Sequence, residues 1–116
     1  MVVRTALHIA LTLLLFTGLA IGQTTHKVTL TWADTLNPPG TTYNIKRSPG
    51  LCSGTPVFAT MATAIAVKTY EDAAVTPGPY CYVVTATSGG VESAPSNTAL
   101  ANVPSFPPSA LSVVVQ

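Results

Sequence analysis

Apolar and polar residues alternate along most of this chain. In "KVTLTW" (27–32), Val28, Leu30 and Trp32 alternate with Thr29 and Thr31, the period of two expected of a half-buried strand. "TYNIKR" (42–47) repeats the pattern, with Tyr43 and Ile45 toward a core and Asn44 and Lys46 outside. "VFATM" (57–61) and "AVKTY" (66–70) are shorter candidates, the second with Tyr70 inward. The longest run, "YCYVVTATS" (80–88), puts Tyr80, Tyr82, Val84 and Ala86 on one face. Gly89–Gly90 then suits a tight hairpin, which needs positive φ. "VESAPSNTALANV" (91–103) returns as a last strand, with Pro95 confined to its edge or start because proline cannot donate to a ladder. The intervening stretches "LNPPGT", "SPGLCSGTP" and "TPG" are rich in turn residues. No helical period appears after residue 22. Short strands at this spacing predict an all-β fold, an antiparallel sandwich.

The N-terminus follows another pattern. Arg4 precedes an apolar run from Ile9 to Ile21, and small residues, Ala20 and Gly22, close it. A basic start, a short apolar stretch and small residues at the −3 and −1 positions predict a secretory signal peptide over residues 1–22. The run is short for a bilayer span, so no membrane span is expected after cleavage. The residue directly after the cleavage point is Gln23, not a cysteine, so a lipid anchor is not expected either.

Export changes the picture of charge and cysteines. Residues 23–116 carry Lys27, Lys46, Arg47 and Lys68 against Asp34, Glu71, Asp72 and Glu92, a balance of zero. Phosphate backbones need a basic surface, so nucleic acid is excluded as the expected partner. The two cysteines, Cys52 and Cys81, would meet an oxidising compartment, where an even count favours a disulfide.

The strands also carry a family resemblance. "VTLTW", "YNIKR", "TYED", "PGPYCYVVTA" and "ESAPSN" resemble, in order, strands B, C, E, F and G of a fibronectin type III domain of the bacterial extracellular type. The resemblance implies an immunoglobulin-like antiparallel sandwich over residues 26–104. It makes Trp32 the core tryptophan of strand B, Tyr43 the core residue of strand C, Tyr80 the corner tyrosine entering strand F, and Val75 the apolar plug before it. With Val28, Leu30, Ile45, Tyr70, Tyr82, Val84 and Ala86 these form the expected core. The family's strand A is missing, because only "QTTHK" separates the cleavage point from strand B. After strand G, "PSFPPSALSVVVQ" (104–116) reads as a proline linker followed by an extra strand in which Leu111, Val113 and Val115 alternate with Ser112 and Val114. That segment is expected to supply the absent edge strand, either parallel within its own domain or by completing a neighbour's strand B.

In immunoglobulin domains the corner tyrosine lies two residues before the second cysteine, so both face inward. Here Tyr80 and Cys81 are adjacent, and strand geometry sends them to opposite faces. Cys81 is therefore expected on the outer face of strand F. Antiparallel pairing of C and F brings it beside the loop that holds Cys52, and the pair is expected to close as a staple of about 30 residues, worth about 3–4 kcal/mol.

Other chemistry is weak. A catalytic thiol would need a base nearby, and the only histidine after residue 22 is His26. Two cysteines and one histidine without close spacing do not make a metal site. Glu71 and Asp72 are neighbours on a strand and face opposite ways. Asp72 is expected to close a turn through backbone amides and Glu71 to be solvated. Lys46 and Arg47 read as solvated charges. Only Phe58 and Phe106 are left as candidates for an exposed ring, too few for sugar stacking, so a glycan ranks behind a protein partner. The expected protein is a secreted (periplasmic or extracellular), non-catalytic structural or interaction module without cofactor or metal. Its expected partner is an extracellular protein or a second copy of itself. The alternatives are a carbohydrate- or enzyme-associated binding module and a subunit that assembles head to tail by strand donation.

Overall fold

The structure is a computed structural model that describes residues 8–12 and 25–116. The expected signal peptide (1–22), including Arg4, Ala20 and Gly22, lies outside the described residues except for one short strand. Among the described residues there are eight strands: β1 (His8–Thr12), β2 (His26–Thr31), β3 (Thr42–Pro49), β4 (Ala59–Ile65), β5 (Thr69–Val75), β6 (Gly78–Ser88), β7 (Val91–Glu92) and β8 (Ala99–Val103). They form a three-stranded sheet, β1–β2–β5, and a five-stranded sheet, β4–β3–β6, with β7 and β8 both on β6. Every pairing is antiparallel. The all-β sandwich read from the alternation is the fold.

The core lies between the sheets. Val28, Leu30 and Trp32 from the β2 side meet Tyr43 and Ile45 of β3, Val75 of β5, and Tyr82, Val84 and Ala86 of β6, all buried. Trp32 lies edge-on to Tyr43, ring centroids 5.3 Å apart. Tyr70 and Tyr80 pack against this cluster only in part. Ala101 and Val103 of β8 complete it, with Met61, Ala62 and Ile65 of β4 at its margin. Burying such side chains contributes about 1.5–3 kcal/mol each for the larger ones.

Two expectations are corrected. The place of strand A is filled, because His8–Thr12 pairs along the outer edge of β2, from His8 opposite Thr31 to Thr12 opposite Lys27. The tail is not an edge strand of its own domain. Residues 104–116 form no strand, and Leu111, Val113 and Val115 are 90%, 80% and 88% exposed. The physical reason is direction. The chain leaves β8 toward the end of the sandwich where β2 begins, and Phe106 stacks there on His26 at 4.3 Å. An antiparallel strand would have to start at the opposite end, beside Thr31, and the expected parallel strand finds no free ladder on β2, which lies between β1 and β5.

The ladders slip at three places among the described residues. The β2–β5 register shifts between His26 and Val28, and β3–β4 shifts between Tyr43 and Ile45 and again between Ile45 and Lys46. Ala74 and Ala64, beside the first two slips, hold φ of 61° and 56°. The hairpin after β6 has both central glycines at positive φ, 57° for Gly89 and 78° for Gly90, as its tight turn requires.

Candidate functional site

Cys81 lies opposite Ser48 on one side and Leu100 on the other. It is fully buried yet stands outside the core cluster that contains its neighbour Tyr82. This is the outer face of β6. The loop after β3 folds over it, and Cys52 bonds to Cys81 with the Cα atoms 5.1 Å apart. Gly50 N–H donates to the Pro79 carbonyl at 2.9 Å beside the bridge, at a φ of 104° that favours glycine. The disulfide therefore fastens the β3–β4 loop to the start of β6.

The acids are committed to the fold. Asp72 does not close a turn through amides. Its Oδ2 accepts the Tyr82 hydroxyl at 2.6 Å and Arg47 Nη1 at 2.8 Å. Arg47 is consequently not a solvated charge: it pairs across the sandwich and lies 5.0 Å over the Tyr80 ring. Lys46 pairs with Glu92 at 3.1 Å, and exposed Glu71 with Lys27 at 2.8 Å. Glu92 also accepts from Thr85 and Asn44. These hydrogen bonds, that from Thr85 foremost, hold its carboxyl below the usual carboxylate range. Asp34 accepts from the Leu36 and Asn37 amides, the Asn37 side chain and the Tyr43 hydroxyl. Burial raises its pKa, but the Asn37, Tyr43 and Leu36 bonds outweigh that and the net shift is downward.

Asp34, His26, Ser93 and Ser96 escaped the sequence reading. Asp34 had a signal: an aspartate two residues past a strand and three before Asn-Pro-Pro is placed to cap a turn with its own side chain. His26 had none. It is buried beneath Phe106, and neither ring nitrogen has a partner.

Among the described residues no aromatic side chain is exposed: Phe58, Phe106, Tyr70 and Tyr80 are half-buried, and Trp32, Tyr43 and Tyr82 are buried. Among the same residues no three His, Cys, Asp or Glu converge to hold a metal ion. No helix of the described residues is long and apolar enough to cross a membrane. The outer edge of β2 is covered by β1, and Leu111, Val113, Val114 and Val115 of the tail are exposed.

No family model and no curated protein matches the sequence. Solved structures do. An Fn3-like protein from Clostridium thermocellum is 38% identical, covering 67% of this chain and 77% of that one with a TM-score of 0.55. A human FNIII domain solved in solution is 15% identical over 95% of this chain and 81% of its own, with a TM-score of 0.57, and a myokine structure is 13% identical over 72% and 87%, with a TM-score of 0.53. The last two share the fold; the bacterial protein also shares sequence over most of its length, and on that ground the chain belongs to the fibronectin type III family.

Proposed function

We propose that the protein is a secreted, non-catalytic structural and interaction module of the extracellular or cell-surface space, whose partners are other extracellular proteins or further copies of itself. The observation that carries this reading is the Cys52–Cys81 bridge. A disulfide persists where thiols are not kept reduced, and the sequence before residue 23 has the layout of an export signal. Support also comes from the charged groups. Asp34, Asp72 and Glu92 spend their oxygens on Tyr, Arg, Asn, Thr and Lys side chains of the fold, which is the work of a scaffold. Fibronectin type III domains are generally non-catalytic, in keeping with this.

Fractionation of cells expressing the full chain tests the reading. The protein recovered outside the cytoplasm is expected to begin at Gln23 and to weigh two protons less than its reduced form. Recovery from the cytoplasm with Met1 intact and two reactive thiols would overturn it.

A further inference from the structure

We propose that removal of the N-terminal segment opens the outer edge of β2, and that the tail of a second copy, residues 110–116, fills it as an antiparallel strand. The inference rests on the export reading above. The structure supplies the acceptor: β2 takes an antiparallel strand along Lys27–Thr31, and that strand, His8–Thr12, lies within the segment that cleavage after Gly22 would remove. Its loss leaves a row of backbone amides and carbonyls beside buried Val28 and Leu30, an edge that folded proteins seldom leave open.

The donor is on the same chain. In the register of that strand Ile9 pairs with Leu30 and Leu11 with Val28, positions two apart. The tail repeats that spacing, Leu111–Val113–Val115, with Ser112 at an intervening position. It is unpaired, and all four of its large aliphatic side chains are at least 77% exposed.

Its own domain cannot use it in this sense. Phe106 is held on His26, at the start of β2. An antiparallel strand must begin beside Thr31, five residues along from His26, a distance of about 17 Å. The four steps from Phe106 to Ala110 span no more than about 14 Å even when fully extended. Pinned at that end, the tail points away from its own sheet and toward another molecule. The contact that results joins different surfaces on each copy, so it need not close and can propagate as a row.

The test uses the exported protein, its N-terminus fixed by mass, in sedimentation runs over a wide concentration range. Chains beginning at Gln23 are expected to form a concentration-dependent series of oligomers. Val113→Asp would place a charge against Val28 and Leu30 and is expected to weaken association by about a hundredfold or more. Ser112→Lys, facing outward, is expected to leave association within about threefold. Val113 lies outside the core, so the variant's fold is checked by its melting curve. Adding a synthetic peptide of residues 109–116 to the Val113→Asp protein is expected to raise its melting temperature and protect β2 amides from exchange. A cleaved chain that stays monomeric, or oligomers indifferent to Val113→Asp, would overturn strand donation while leaving export intact. A chain that keeps Met1 removes the export reading and this proposal together.

Discussion

Asp72 Oδ2 accepts two hydrogen bonds at once, from the Tyr82 hydroxyl and the Arg47 guanidinium, and so joins β5 to both β3 and β6 across the sandwich. Hydrogen bonds to a charged acceptor in a buried setting contribute more than neutral ones. Tyr82→Phe is therefore expected to cost about 1.5–3 kcal/mol in denaturant melts. Tyr80→Phe, which loses an exposed bond to Thr76, should cost no more than about 0.5 kcal/mol. Equal losses would contradict the assignment of Tyr82, not Tyr80, as the tyrosine that holds the sheets. The same chemistry gives a pH dependence. Burial, and then the Asp34 carboxylate, push the Tyr43 phenol up to about 12; burial and Asp72 push Tyr82 in the same direction. A folded pKa above the unfolded one means that the stabilisation is complete below the ordinary tyrosine value, about 10. It is lost as pH rises through the folded value. Thermal melts are thus expected to hold up to about pH 10 and fall from there toward 12. Tyrosinate absorbance should show a component ionising above the ordinary tyrosine value that Tyr43→Phe and Tyr82→Phe each diminish; the absence of any such component would refute this.

At the scale of elements, the last strand shows how a broken ladder is repaired. Pro95 interrupts the run between β7 and β8, and two serines beside it take over. Ser93 N–H donates to the Ala86 carbonyl at 2.7 Å while its Oγ accepts from Ala86 N–H at 2.9 Å. Ser96 repeats the exchange with Val84 at 2.8 and 2.9 Å. Ser96→Ala would leave a buried Val84 amide without an acceptor and is expected to cost about 1–3 kcal/mol. Ser93 is less buried and Ser93→Ala should cost less; the reverse order in melting experiments would argue against the repair. The alternation of apolar residues made β2, β3 and β6 legible to within a residue or two, since each buries one face. It placed β4 and β5 less well. Thr60–Ile65 buries little, and residues 73–74 bulge at Ala74, so period two fails in both. Alanine at positive φ gives no warning of a bulge, where glycine would have done so. Cys52–Cys81 was legible because adjacency to Tyr80 fixed the face of Cys81. The Arg47–Asp72 pair was not, because nothing local reveals which charge faces the opposite sheet.

For the whole molecule, the bridge sets how the chain can answer a pull. Cys52 and Cys81 are 29 residues apart in sequence, and both β4 and β5 lie between them. A tension applied at the two ends passes from β2 and β3 through the sulfurs directly into β6 and β8, and never loads the enclosed loop. Fully extended, that loop would reach about 100 Å. Single-molecule stretching is expected to give a contour shorter by about that length for the oxidised protein, with the difference restored by reductant. Equal contours in both states would mean that the bridge is absent from the exported form. A row of such modules outside the cell would then behave as a tether with a length stop, each link surrendering only part of its chain before covalent bonds bear the load.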